Sequence, residues 1–408
     1  MSVRPLHVIT SPKTVCVRSD RRVARADRRL QRREGARLEL AAWAFSTRRV
    51  PLDAVRKLLP VSGAPMAGDL VLCAVDALGH HAGLQLPCGR RKLLFPGDEI
   101  VVAYGNRYAS SQFEALVPET FGPCHLVAGG GIAAHAVHWH AKITKGPTHI
   151  TPLAVLANAA GERVNLRQFS VPISTRVESE QPPTIAVVGT GMDSGKTQSA
   201  AYLVRGLMAA GLRVGYAKIT GTGAGGDTWL LTDAGANPVF DFTDAGYATT
   251  YLASPREVES ILTTLVACQT QAGVDAMVLE IADGVYQRET ASLLESQTFA
   301  RTVHGIVLAA CDSMGASAGA HWLTRQPVPV LAISGIISAA PLQAREASDA
   351  IGLHVFNREQ LSSPGIAMEI LRRTQRAAVA AAPLLRSSAA APEAASRARP
   401  ERLPAHES

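Results

Sequence analysis

The 408-residue chain contains no Cys-x-x-Cys pair. Its six cysteines, Cys16, Cys73, Cys88, Cys124, Cys268 and Cys311, are scattered, which argues against a disulfide framework and against a zinc knuckle. No apolar run reaches the roughly 18–20 residues that span a bilayer, so no membrane segment is expected. The start of the chain is basic, but no apolar stretch follows it, so a secretory signal is not expected either. A cytoplasmic protein is the resulting expectation. Charge is sparse at 18% against 47% hydrophobic residues, the balance of a soluble globular chain. The net charge is +7, but residues 1–37 carry 11 Lys/Arg against 3 Asp/Glu and residues 372–408 carry 7 against 3, which leaves the body between them at −5. A nucleic-acid binder concentrates basic charge on a folded face. Here the charge sits at the ends, so nucleic acid is not an expected partner.

What is present falls into segments. Residues 1–36 include "RSDRRVARADRRLQRREGAR", rich in charge and poor in apolar residues, and read as a disordered basic arm. Residues 37–173 carry strand-length β-branched runs such as "GDLVLCAVDAL" and "EIVVAYG", separated by turn clusters such as "PCGRRK" and "FPGDE". A small barrel or sandwich is expected there. Residues 174–183, "STRVESEQPP", read as a linker. Over 184–373 the pattern becomes strands alternating with amphipathic helices. We read strands at 184–189, 213–219, 274–281, 303–310, 328–334 and 353–357, and helices at 195–210, 255–272, 288–300 and 341–350, with one more helix after 357. That alternation predicts a parallel sheet covered on both faces. Residues 374–408 are biased to Ala, Pro and Arg, and a disordered tail is expected.

The chemistry concentrates at "TIAVVGTGMDSGKTQSAAYLV", Thr184 to Val204. The usual phosphate-loop pattern is G-x-x-x-x-G-K-[ST], which would place a glycine at 190. Residue 190 is Thr, and glycines flank it at 189 and 191. The context still fits a phosphate loop. A buried strand runs into the glycines, and a helix follows in which Ala200, Leu203, Val204, Leu207 and Met208 recur at helical spacing up to Gly211. The small residues Gly189, Thr190, Gly191, Ser194 and Gly195 let backbone amides curl around an anion, with Met192 and Asp193 between them in the expected nucleotide-binding loop and Gln198 in the first helical turn. Lys196 would reach the β- and γ-phosphates, and the Thr197 hydroxyl would ligate Mg²⁺. The whole chain therefore reads as α/β: a P-loop fold with a doubly wound parallel sheet, preceded by a β-rich, barrel-like N-terminal domain.

The string "GTGMDSGKT" resembles the loop of dethiobiotin synthetase, which reads G-T-D-T-x-x-G-K-T. That branch of P-loop proteins also holds the MinD-type ATPases and MobB. The MinD subgroup carries an extra lysine early in the loop, and residues 190–194 here contain none. Further pieces resemble the same enzyme in order. "VGYAKITGTGAGGD" ends its strand in Lys218, which the resemblance implies contacts substrate and the transferred phosphate. Asp227, in the loop beyond, matches an aspartate that the resemblance implies is a metal ligand. "VDAMVLEIADGV" places Glu280 at the end of a strand, matching a glutamate of the family. An acid at the C-terminal end of a buried parallel strand beside the P-loop is also where Mg²⁺ sits on general grounds. The resemblance spans about residues 183–360. The poorly characterised P-loop family that includes N-acetyl-glutamate racemase-type enzymes is similar too, and it also places another domain ahead of the loop.

The expected function is an enzyme that uses Mg·ATP to phosphorylate a carboxylate or carbamate on a small molecule for C–N bond formation. Lys196 and Lys218 would be the catalytic cations, and Thr197, Asp227 and Glu280 the metal ligands. A nucleotide-dependent regulator of the MobB type and a racemase-type enzyme are the alternatives. The resemblance also implies a homodimer. No N-K-x-D guanine motif stands out, which favours ATP over GTP.

Other residues leave alternatives open. Asp193 lies inside the loop, where an acid repels phosphates, so it either points away or meets a substrate amine. Asp283 either orients a substrate or occupies a turn. Asp241, Asp244, Tyr247 and Tyr251 either line the mouth of the site or serve as cap and core. His138 and His140 share a strand face at metal-like spacing, as alternating surface histidines also do. "YGNRYASSQFEA", with Asn106, Arg107, Tyr108 and Gln112, is either a ligand rim or a domain interface.

Overall fold

A computed structural model describes residues 35–172 and 180–374. The basic arm as far as residue 34, residues 174–179 of the linker and the tail from 375 lie outside the described residues. Contacts divide the chain into two units: Met1–Asn106 with Glu114–Phe169, and Arg107–Phe113 with Ser170–Ser408.

The first unit is built on a sheet that closes on itself. Glu99–Tyr104 pairs with Leu70–Ala77, which pairs with Thr148–Ala157, then Cys124–Ala128, then Ile132–Trp139, and the last returns to Glu99–Tyr104. A ring of five strands results, with one parallel junction where Ile132 faces Ala103. Period-two alternation fills it. Val71, Cys73 and Val75 from one strand meet Ile100, Val102 and Tyr104 from another in a single buried cluster. Closure leaves those five strands without open edges at the ring.

The second unit holds six strands: β1 Thr184–Gly189, β2 Val214–Lys218, β3 Val239–Asp241, β4 Ala276–Ile281, β5 Gly305–Ala309 and β6 Val330–Ser334. All pairings are parallel, in the order β3-β2-β4-β1-β5-β6. Every residue of β1, β4 and β5 is buried, as a sheet covered on both faces requires. Among the described residues of this unit run the helices α1 Lys196–Ala209, α2 Gly225–Asp233, α3 Pro255–Gln271, α4 Arg288–Leu294, α5 Gln297–Thr302, α6 Ser313–Leu323, α7 Pro341–Ile351 and α8 Arg358–Ser362. A further helix runs over 364–374. One face of the sheet is packed by Ile261, Leu265, Phe299 and Leu323, and the other by Leu203, Val204, Leu207 and Ile370. β1 lies between β4 and β5, so the chain leaving its C-terminal end enters the crevice where α/β folds place ligands.

Several expected elements differ. The helix expected over 288–300 is two helices, because Ser296 starts a new one by accepting a hydrogen bond from the Phe299 amide. No strand forms at 353–357. Gly352 ends α7 and Asn357 caps α8, leaving room for a single bridge between Ile333 and Val355. Helices α2 and α6 and strand β3 were not anticipated. Glycines open α2, and α6 is mostly small residues, "SMGASAGAHWL", whose apolar stripe is faint. No described helix is long and apolar enough to cross a membrane.

Candidate nucleotide-binding site

The loop from Gly189 to Lys196 takes its shape from two glycines. A Cβ on Gly189 would lie 2.3 Å from Ser194 Oγ and 2.9 Å from Lys196 Cδ, so the end of β1 has no room for a side chain. Gly195 has φ +93° and its Cβ would meet Gly335 Cα at 3.0 Å, so this N-cap also requires glycine. With glycine there, no side chain caps α1, and the orphan amides of its first turn face the loop. That is the usual start of an anion site, with the helix dipole added.

Thr190 explains the displaced glycine. Its Cγ2 is directed at α6, 3.1 Å from where a Cβ on Gly319 would stand, and its amide donates to Ala309 O at 3.0 Å. The side chain therefore packs outside the loop and a residue larger than glycine fits. Asp193 is exposed, at φ 63°, a conformation aspartate tolerates. The far wall comes from the turn after β6, where Ile336 N donates to Ser194 O at 3.1 Å.

Around the loop, charged groups converge. Lys196 is 6% exposed, and its ammonium donates to Gly191 O at 2.8 Å and Asp283 O at 2.6 Å. Burial pulls its pKa down, against the pull of the Glu280 and Asp283 carboxylates. Parallel register sets Lys218 of β2 beside Glu280 of β4. Lys218 Nζ lies 3.1 Å from Glu280 Oε1 and forms a second ion pair with Asp227, in the first turn of α2. Burial opposes the Lys218 charge, but Asp227 and Glu280 outweigh it and hold the ammonium above its ordinary pKa. Thr197 Oγ1 donates to Glu280 Oε1 at 3.2 Å and Tyr216 OH to Glu280 Oε2 at 2.9 Å. Glu280 is thus a 1% exposed carboxylate ringed by three donors. Burial and the Glu280 charge raise the phenol pKa of Tyr216, keeping it a donor.

Thr197, Lys218, Asp227 and Glu280 therefore stand in one contact network, and Lys196 binds the loop beside it through the carbonyls of Gly191 and Asp283. Gln198 follows in the half-buried first turn, and Met192 accepts a hydrogen bond from Ser111 Oγ at 3.3 Å. The donor set suits Mg²⁺. Among the described residues no three His, Cys, Asp or Glu side chains form a metal cage, whereas two carboxylates and a hydroxyl meet here. Mg²⁺ usually takes one or two carboxylates and completes its shell with phosphates and water.

Other candidates fall outside this network. Asp241 accepts from the Thr243 amide at 2.7 Å, and Asp244 Oδ2 accepts from the Asp241 amide at 2.9 Å, so both acids tie a buried turn. Tyr247 packs on the core, and the rings of Tyr251 and Tyr108 are 5.6 Å apart. His138 meets Glu114 at 3.0 Å on the surface, and His140 Nδ1 accepts from the Lys142 amide at 3.1 Å. Tyr216 and Gly335 were not anticipated. Tyr216 stands two residues before Lys218 on the same strand face, a signal the sequence did carry.

The second unit is an α/β fold in which a glycine-rich loop joins the central parallel strand β1 to α1. No protein-family model matches the chain, and no curated protein matches it. Solved structures similar to it include a signal recognition particle 54 kDa protein from Aeropyrum pernix K1 in complex with GDP, 18% identical, covering 50% of this chain and 52% of that one at a TM-score of 0.32. The chain thus spans about half the length of that protein. FtsY from Mycoplasma mycoides is 13% identical over 50% of this chain and 70% of its own, with a TM-score of 0.33. A DUF1611 family protein from Anabaena variabilis ATCC 29413 is 14% identical over 51% and 63%, with a TM-score of 0.36. At scores of this size, the function rests on the geometry of the site itself.

Proposed function

We propose that the protein is a Mg·ATP-dependent enzyme that phosphorylates a carboxylate or carbamate of a small molecule and so prepares it for C–N bond formation. The observation that carries this reading is the contact of Lys218 with Asp227 and Glu280, and of Glu280 with Thr197, at an uncapped helix start whose loop holds the buried Lys196. Phosphoryl transfer asks mainly for positioning and charge neutralisation, and this site supplies both.

In this reading the α1 amides and Lys196 take the phosphates. Lys196 gives up the carbonyls of Gly191 and Asp283 for phosphate oxygens. Thr197, Asp227 and Glu280 would hold Mg²⁺, which when bound neutralises phosphate charge. Lys218, kept charged by its two acids, faces the acceptor oxygen. That oxygen attacks the terminal phosphorus, the bond to the bridging oxygen breaks, and ADP leaves with the electron pair. An amine then attacks the acyl carbon and expels phosphate.

A test is a screen of small carboxylates and amines for compounds that raise the melting temperature only in the presence of Mg²⁺ and a non-hydrolysable ATP analogue. A compound found this way should also stimulate ADP release from ATP. If no metabolite stimulates turnover and a protein partner does, the enzyme reading fails in favour of a nucleotide-dependent regulator.

A further inference from the structure

One buried cation beside this site has no role in the reading above. Arg107 belongs by its contacts to the second unit, with the rest of Arg107–Phe113. One contact seats that segment at the loop, where the Ser111 hydroxyl donates to Met192 Sδ at 3.3 Å, and the Tyr108 ring also lies 5.6 Å from Tyr251. Arg107 itself is 5% exposed. Its Nη2 donates to Gln112 Oε1 at 2.6 Å, and its guanidinium carbon stands 5.8 Å from the centre of the Phe113 ring. The side chain is therefore held in place by its own segment.

Its electrostatic surroundings are those of the phosphate loop. Burial brings the guanidinium down to about 10, and the Asp283 carboxylate works against that. Burial also raises the Asp283 pKa, while Lys196, Lys218 and Arg107 all favour its charged form. The backbone oxygen of the same residue holds the Lys196 ammonium at 2.6 Å. Arg107 thus acts on the Asp283 carboxylate in the same sense as both lysines of the site.

We propose that Arg107 engages the terminal phosphoryl group of a nucleoside triphosphate seated in the Gly189–Thr197 loop. The proposal rests on the nucleotide reading of that loop. During transfer, negative charge spreads over the equatorial oxygens of the phosphoryl group. A planar guanidinium can take two of those oxygens at once, which neither lysine can do. Burial leaves the fork little freedom to lose when it does so.

The test uses the full chain as wild type, Arg107→Lys and Arg107→Gln, each with Mg²⁺ and ADP, with and without aluminium fluoride. The fluoride complex mimics the phosphoryl group in flight. Wild type should hold ADP with fluoride about 100-fold more tightly than ADP alone. Both variants should bind ADP within about threefold of wild type, lose most of the fluoride gain, and turn over slower by on the order of 10³. Each variant is compared with itself, and Arg107→Lys decides if Arg107→Gln does not fold. Variants that keep the full fluoride gain overturn the proposal, as does a wild type that shows none. A wild type that does not bind ADP overturns the nucleotide reading itself, and the Arg107 role with it.

Discussion

At the residue scale, the loop turns on which positions admit a side chain. Gly189 admits none, because Ser194 Oγ would lie 2.3 Å from its Cβ. Thr190 points at α6 and is free to be larger. Gly189→Ala should therefore weaken triphosphate binding at least tenfold, by about 1.4 kcal/mol. Thr190→Gly, which restores the usual spacing, should leave binding within about threefold. Titration calorimetry on the two variants checks both. The loop was legible because Gly-Lys-Thr follows a buried strand. The outward direction of Thr190 was not, since it depends on Gly319, over a hundred residues away.

A second residue sets an acid limit on the first unit. His125 Nδ1 accepts a hydrogen bond from the Ala136 amide at 3.0 Å, so the folded ring is neutral there. Burial first, then His149 and His135, lowers its pKa from 6.5 to about 4. The unfolded chain takes up a proton in that window and the folded chain does not, so stability falls as pH drops from 6.5 toward 4. Melting temperatures recorded down this range should decline, and His125→Gln should flatten the decline. A steeper decline in the variant would contradict the assignment.

At the element scale, α3 shows how local chemistry fixes a boundary. Ser254 accepts from the Glu257 amide, Glu257 reaches back to the Ser254 amide, and Pro255 occupies the first turn. This capping box was readable as "SPREVE", and the helix lies at 255–271 where the spacing placed it at 255–272. Ser254→Ala should cost about 1 kcal/mol in denaturant unfolding. A cost of zero would mean that the packing of Ile261 and Leu265 alone holds that end. Helix α2 was illegible for the opposite reason. "GTGAGGD" carries four glycines, so propensity argues for a loop, and tertiary packing overrides it. The effect matters for the site, because the α2 turn is what carries Asp227 to Lys218.

At the scale of the whole molecule, one chain holds a closed five-stranded ring and a six-stranded parallel sheet. The division into a β-rich and an α/β part shows in the change from period two to alternating strands and helices. The ring closure is not visible in sequence, since it depends on one parallel pairing between distant strands. The site network was partly visible, because Lys218 and Glu280 each end a strand. Their mutual contact needs the β2–β4 register, which no local pattern states.

The most direct measurement is equilibrium binding of a non-hydrolysable ATP analogue, with Mg²⁺, to wild type and Lys196→Ala. The account predicts that wild type binds and that the variant, with an unchanged melting profile, loses affinity by about 100-fold, near 2.7 kcal/mol. Equal affinity in the two proteins would contradict it, because the buried ammonium would then have no phosphate to meet.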